Sequence, residues 1–149
     1  MKTLVEPKDL TREVLVDFLS TSTFGNGYIY IECESDGLEI NDGYCREDVW
    51  ATALLSLKKI WITDLLAEGE KYADSAYFED DDAVYPVTIE DIRIGLERAI
   101  NGDFEANSDG EKKWMRETAF SILQDDGQAD ASDAYGLIQL IMFGKVIYG

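Results

Sequence analysis

The sequence predicts an α+β fold, a mainly helical single domain with a small antiparallel β-hairpin or sheet near the N-terminus. Three observations predict it. Apolar residues recur at helical spacing over most of the chain, one short segment alternates between apolar and polar residues, and 46% of the 149 residues are hydrophobic. This length is typical of a chain that buries its own core. Residues 1–149 are therefore expected to form one acidic globular domain.

The first predicted elements are a helix and a β-hairpin. Residues 9–20 place apolar side chains at helical spacing, with acidic residues on the opposite side. Residues 28–35 then alternate, and the Asp36-Gly37 pair that follows is typical of a two-residue hairpin turn. In that register one face of the hairpin is apolar, and the other combines tyrosines with carboxylates. The outward residues are Tyr28, Tyr30, Glu32, Glu34 and Glu39.

The same register predicts that the two cysteines do not pair. Cys45 lies five residues beyond Ile40, the residue opposite Cys33, and five residues span roughly 17 Å along a strand. A disulfide bridges Cα atoms at most about 7 Å apart. We therefore expect two free thiols, which are typical of a reducing compartment.

A buried helix and a long acidic connection are predicted for the middle of the chain. Residues 47–66 follow the helical period with a wide apolar stripe, although the β-branched segment 60–63 favours a local break. Residues 68–86 are predicted to form a loop. This loop holds the densest charge of the chain, at Glu79, Asp80, Asp81 and Asp82, and so long a loop in a compact domain is often functional.

Three more helices complete the prediction. Thr88, with Asp91 three residues later, predicts one helix start, and Asn101-Gly102 predicts its end. Ser108 and Glu111 predict a capping box at the start of the next helix. Residues 124–133 have the composition of a turn. The remaining segment, 134–149, is apolar nearly all round and is predicted to be the central helix, with a subunit interface as the alternative.

The acidic composition is the main indication of function. The chain has 31 Asp and Glu against 13 Lys and Arg and no histidine, a formal net charge of −18. Such a charge attracts basic partners over long distances and disfavours nucleic acid and anionic membranes. No segment has the character of a secretory signal or the roughly 18 apolar residues of a membrane span. A cytoplasmic protein with a basic macromolecular partner is expected.

The composition also disfavours most catalytic chemistry. Without histidine the commonest general base is missing, and two cysteines cannot form a four-thiolate zinc site. No glycine-rich phosphate-binding motif occurs. Residues 103–114 resemble a calcium-binding loop, but aligning its glycine at Gly110 puts Glu105 first and Arg116 where the bidentate glutamate belongs. A magnesium-dependent carboxylate hydrolase is the least favoured hypothesis, with candidates among the acids of segment 79–82 and Asp125, Asp126, Asp130 and Asp133. We therefore expect no enzyme and no metal or other cofactor.

The end of the chain resembles a group of small acidic proteins encoded by phages and prophages of low-GC bacteria. Those proteins end in an Asp-Ala-containing helix followed by a Phe-Gly-x-Val/Ile-Val/Ile-Tyr-Gly tail. The matching residues here are Asp133, Ala134, Leu140, Phe143, Gly144, Val146, Ile147, Tyr148 and Gly149. The segment VTIEDIRIGLERAI is similar to their upstream helix, so the resemblance covers about the last 60 residues. It implies a fold and a phage setting, and it brings no site residues.

A phage setting combined with this acidity predicts a counter-defence inhibitor in the host bacterial cytoplasm. Such a protein occupies the basic nucleic-acid-binding surface of a nuclease or CRISPR effector, as a DNA mimic or by charge alone. The alternatives are a toxin-immunity protein and a structural or assembly module, the latter as a homodimer through the C-terminal helix. The predicted partner-binding residues are the outward hairpin residues and the acidic loop: Tyr28, Tyr30, Glu32, Glu34, Glu39, Glu79, Asp80, Asp81 and Asp82.

Overall fold

The computed structural model describes residues 3–24, 29–33, 46–64 and 84–146. These residues form five α-helices and a three-stranded antiparallel sheet, which confirms the predicted α+β class. The elements are α1 (Arg12–Phe24), β1 (Ile29–Cys33), α2 (Arg46–Leu55), β2 (Ile60–Asp64), β3 (Val84–Val87), α3 (Ile89–Asn101), α4 (Asp109–Gln124) and α5 (Ala131–Phe143). The strands extend into the middle of the chain and are not confined to its N-terminal part.

Strand β2 corrects the prediction of one helix over residues 47–66. Helix α2 ends at Leu55, and Leu57 turns the chain with a positive φ of 60°. The Lys58 N–H donates to the Ala53 carbonyl at 2.9 Å, which closes the helix end. Beyond this turn Ile60 and Ile62 are fully buried on one side of an extended segment. The β-branched residues therefore follow the strand period of two, and the predicted helix is wrong over its last part.

Strand β1 confirms part of the predicted hairpin. Ile29 and Ile31 are buried, Cys33 is half-buried and Glu32 is exposed, in the predicted alternation. In the described residues its partner is β2, paired antiparallel with Cys33 opposite Ile60. The turn and the second strand of the hairpin prediction lie outside the described residues. Cys33 is a free thiol whose pKa is raised by burial, and Cys45 lies outside the described residues.

The sheet has the order β1-β2-β3 and packs one face on the helices. Val87 and Tyr85 belong to this inner face, and the Tyr85 ring meets the Phe143 ring of α5 edge to face at 5.3 Å. β3 contains Pro86, which is tolerated because β3 is an edge strand in the described sheet. The predicted loop over residues 68–86 is thus wrong at its end, where residues 84–86 are a strand, and its acidic residues lie outside the described part.

Local capping explains where the helices begin and end. The Thr88 hydroxyl accepts from the Asp91 N–H at 3.2 Å, the Asp91 carboxylate accepts from the Thr88 N–H at 2.9 Å, and Gly102 closes α3 with a φ of +68°. These features confirm the predicted bounds of α3. At α4 the Ser108 hydroxyl accepts from the Glu111 N–H as predicted. The Glu111 carboxylate, however, bonds Asn107 and not Ser108, so the reciprocal half of the predicted capping box is shifted by one residue.

Helix α1 begins later than predicted. Residues 9–20 were expected to be helical, but Pro7–Asp9 form a 3-10 turn and α1 starts at Arg12. The Thr11 hydroxyl accepts from the Val14 N–H at 3.2 Å, which fixes that start. The predicted apolar face is nevertheless the buried one, with Leu10, Val14, Leu15, Phe18 and Leu19 in the core.

Helix α5 is the central helix of the described fold. Nine of its thirteen residues are buried, and it packs against α1, α3 and α4, which supports the core interpretation over a subunit interface. A Cβ atom on Gly95 of α3 would overlap Ile141, and one on Gly136 would lie 2.8 Å from Met115 and Trp114 of α4. These two glycines allow α3 and α4 to approach α5 closely.

One acidic side chain lies on a packed face. Glu47, in the first turn of α2, is 2% exposed and belongs to the same buried face as Trp50, Ala51 and Leu54. Neither of its carboxylate oxygens has a hydrogen-bond partner among the described residues. A buried carboxylate is unfavourable unless it is paired or hydrogen-bonded.

Candidate partner-binding surfaces

Two of the nine predicted partner-binding residues lie within the described chain. Glu32 is exposed on β1, and Tyr30 lies two residues before it on the same strand, paired with Thr63. The remaining seven lie outside the described residues, and for them the prediction stays a prediction. They are Tyr28, Glu34, Glu39, Glu79, Asp80, Asp81 and Asp82.

The structure adds Trp61 to the surface that contains Glu32. Glu32 pairs directly with Trp61, and Trp61 pairs with Pro86 on its other side. Glu32 and Pro86 are exposed and Trp61 is half-buried, so this row of three residues faces away from the core. We call this row the outer sheet face. Sequence reasoning missed Trp61 because it placed residue 61 on a helix; the alternation from Ile60 to Asp64 was the signal for a strand.

A second surface is formed by six carboxylates around the α4–α5 loop, and we call it the acidic end. It joins the middle of α1, the second half of α4, the α4–α5 loop and the start of α5. Its residues are Asp17, Glu117, Asp125, Asp126, Asp130 and Asp133. Four of them were named from the sequence only as metal-ligand candidates for a hydrolase, because their convergence with α1 is a tertiary contact.

Hydrogen bonds fix the loop at the centre of the acidic end. The Asp126 carboxylate accepts from the Ser121 hydroxyl and, at 2.9 Å, from the Gln128 N–H. These bonds lower the pKa of Asp126, with the Ser121 bond the larger cause. The Ser121 hydroxyl oxygen accepts in turn from the Ala129 N–H at 3.1 Å. The Asp126 carboxylate therefore stabilises the conformation of this loop.

Capping fixes the carboxylates at the start of α5. The Asp130 carboxylate accepts from the Asp133 N–H at 2.9 Å, and the Asp133 carboxylate accepts from the Asp130 N–H at 3.0 Å. This capping box starts α5 at Ala131, three residues before the predicted start at residue 134. Asp133 also accepts from the indole N–H of Trp114 at 2.7 Å, which ties the start of α5 to α4.

Two clefts flank the α4–α5 loop. The first lies between α1 and the end of α4 and is open to solvent, with Phe18 and Ile122 among its apolar residues and Asp17 and Asp125 among its polar residues. The second is also open to solvent and is lined by Trp114, Glu117, Thr118, Ser121, Gln128, Ala129 and Asp133. The described residues that line these clefts include no lysine or arginine.

Asp17 and Asp125 meet across the first cleft. The interaction of Asp17 with the neighbouring Asp125 carboxyl group is the main cause that raises the pKa of Asp17. Burial and the charges of Asp125 and Glu13 raise it further. Asp125 itself ends α4 in the left-handed conformation, with a φ of 52°. The neighbouring carboxylates therefore disfavour the charged form of Asp17.

The described arginines that bond across the fold do so away from the acidic end. Arg12 donates to the Thr52 hydroxyl at 2.9 Å between α1 and α2, and Arg93 donates to the Val5 carbonyl at 3.1 Å. Arg116 donates to the Ile100 carbonyl at 3.0 Å, which joins α4 to α3. At the acidic end the ion pair recorded in the described residues is Lys113–Glu117, at 3.8 Å between two exposed side chains. Such a pair is weak in water, so the surface keeps most of its negative charge.

Three further findings bear on the function. Within residues 3–24, 29–33, 46–64 and 84–146 no three His, Cys, Asp or Glu side chains are grouped so as to hold a metal ion. None of the helices in these ranges has the length and hydrophobicity needed to cross a membrane. No known protein family, curated protein or solved structure matches the chain.

Proposed function

We propose that this protein is a phage counter-defence inhibitor that binds the basic nucleic-acid-binding surface of a host defence protein, a nuclease or a CRISPR effector. The acidic end is the observation that carries the proposal. Four of its six carboxylates lie on helix ends or on the hydrogen-bonded loop, two lie within α1 and α4, and one weak ion pair offsets them in the described chain. Fixed carboxylates of this kind bind the arginines and lysines that otherwise hold phosphates.

Carboxylates that are held in place before binding lower the entropic cost of binding a partner. Asp126, Asp130 and Asp133 are held by hydrogen bonds to backbone N–H groups before any partner arrives. A flexible acidic tail would lose side-chain and backbone freedom on binding, whereas these side chains lose little. The arrangement favours a binding function in the host cytoplasm, whether or not it imitates the geometry of DNA.

The assembly alternative receives less support from the fold. A homodimer through the C-terminal helix needs an apolar face that is free, but α1, α3 and α4 already cover α5. A toxin-immunity protein uses the same electrostatic principle on a basic toxin. The choice between a toxin and a defence nuclease is therefore a question of which partner is inhibited.

The proposal is tested by inhibition of purified host nucleases and CRISPR effectors. We expect at least one enzyme to lose DNA cleavage as this protein is added, and a higher concentration of substrate DNA to restore the cleavage. Glu117→Gln with Asp125→Asn should raise the concentration needed for half inhibition about tenfold. The matched control is Glu105→Gln with Asp109→Asn, which removes two exposed charges elsewhere. Equal effects of the two double variants, or inhibition that DNA does not relieve, would contradict the proposal.

A further inference from the structure

The outer sheet face pairs an aromatic ring with a carboxylate. Glu32 lies directly opposite Trp61 in the β1–β2 register. Glu32 is exposed and has no hydrogen bond or ion pair to another described residue, and Trp61 is half-buried beside it. Strands β1, β2 and β3 contain no lysine or arginine. The sheet itself therefore supplies no cation to this pair.

The spacing of the two side chains suits one cationic group that contacts both. Residues directly opposite each other in an antiparallel pair have Cβ atoms about 4.5–5.5 Å apart. A cation interacts with a tryptophan ring when it lies within about 6 Å of the ring centre. A group that stacks on Trp61 is thus also within reach of the Glu32 carboxylate.

The geometry points to an arginine side chain of a basic partner as the group that binds between Trp61 and Glu32. A guanidinium group is planar, so it stacks on the indole while two of its N–H groups donate to one carboxylate. A lysine ammonium group is more strongly hydrated and lacks the planar face. The net charge of −18 attracts a partner rich in such side chains.

This site goes beyond the acidic end, because it lies on the sheet and selects arginine over other cations. It rests on the proposed function only for the source of the arginine. An acidic surface alone recognises positive charge of any chemistry, whereas a Trp–Glu pair distinguishes a guanidinium group from an ammonium group. The prediction is therefore a preference for arginine at equal charge.

The experiment is an NMR titration of the full chain with three short peptides. They have the sequence acetyl-Gly-X-Gly-X-Gly-amide, in which X is arginine, lysine or citrulline, the uncharged analogue of arginine. The signal followed is the indole N–H of Trp61, assigned by its loss in Trp61→Phe. We expect the arginine peptide to shift this signal, the lysine peptide to bind several-fold more weakly, and the citrulline peptide to leave it unchanged.

A substitution separates this site from general charge attraction. Glu32→Gln should weaken arginine-peptide binding about fivefold, and Glu105→Gln, an equal charge change at another exposed position, should not. The inference is overturned if the Trp61 signal does not move, if lysine and arginine peptides bind equally, or if both variants have the same effect. Nuclease inhibition without peptide binding would remove this site alone, and peptide binding without inhibition would remove only the proposed function.

Discussion

The acidic end and the outer sheet face present negative charge in two different ways. At the acidic end Asp126, Asp130 and Asp133 accept hydrogen bonds from backbone N–H groups, so the same carboxylates hold the fold and form the surface. On the outer sheet face Glu32 has no such bond within the described chain and contributes no local structure. The stability lost when a carboxylate is removed should therefore distinguish an acid that holds the fold from an acid that is available only for binding.

The largest loss of stability is expected where packing fixes the acidic end. Gly136→Ala should lower the free energy of unfolding by about 1–2 kcal/mol, because the strain of the new methyl group against Met115 and Trp114 outweighs the helix propensity that alanine gains. The displaced Trp114 should also weaken its bond to Asp133. Urea unfolding measures the change. Gly110→Ala is the control, since its Cβ would lie at an ordinary 3.6 Å from the Ser108 hydroxyl, and it should stabilise by up to about 1 kcal/mol. Equal stability of both variants would show that α4 and α5 are not in close contact.

Glu47 provides a buried carboxylate to compare with the acids of the two surfaces. Glu47→Met replaces a buried carboxylate that has no hydrogen-bond partner among the described residues with an apolar side chain of similar length, and it should raise the free energy of unfolding by about 1–3 kcal/mol. Thermal and urea unfolding should agree. A loss of stability would mean that the carboxylate has a favourable partner.

Removing one acid from each surface tests the comparison itself. Asp130→Ala removes the N-cap of α5 and should cost about 1 kcal/mol, whereas Asp130→Ser should keep most of the stability. Glu32→Gln should change the stability by less than about 0.5 kcal/mol. Urea midpoints of the three variants provide the measurement. A Glu32→Gln variant as unstable as Asp130→Ala would show that both acids are structural.

The smallest expected effect is on the pH dependence of stability, to which Asp17 and Asp126 contribute with opposite signs. The pKa of Asp17 is raised, so its contribution to stability is present below the ordinary value near 3.8 and is lost as pH rises through the folded-state pKa. The pKa of Asp126 is lowered, so its contribution is present above 3.8 and is lost as pH falls through the folded-state pKa. Between pH 3 and pH 7, the free energy of unfolding of Asp17→Asn should therefore rise relative to that of wild type as pH increases. The free energy of unfolding of Asp126→Asn should be lower than that of wild type at pH 7, and this difference should become smaller as pH decreases. The same sign for both would rule out the Asp17–Asp125 contact.

Sequence patterns predicted the elements whose signals are local. The Thr88 and Ser108 caps, the Gly102 stop and the apolar face of α1 depend on residues within a turn or two, and they are confirmed. Strand β2 was missed because its apolar residues also continue the helical period, and its state depends on pairing with β1 and β3. Leu57 made the turn harder to foresee, since a leucine rarely adopts a positive φ.

The candidate surfaces depended on long-range contacts in the same way. Glu32 was predicted from alternation within one strand, but its neighbour Trp61 required the strand pairing. The acids at the α4–α5 loop were visible in the sequence, but their meeting with Asp17 of α1 required the helix packing. Composition alone therefore predicts an acidic protein, and the packing shows which acids of the described residues lie close together.

The most direct test of the central claim measures association between this protein and the inhibited nuclease at 50 and 300 mM salt. We predict that Glu117→Gln with Asp125→Asn slows association several-fold at low salt and flattens its salt dependence, because these charges steer the encounter. Glu105→Gln with Asp109→Asn should leave both nearly unchanged. Identical rates for the two double variants at both salt concentrations would contradict the claim that the acidic end is the binding surface.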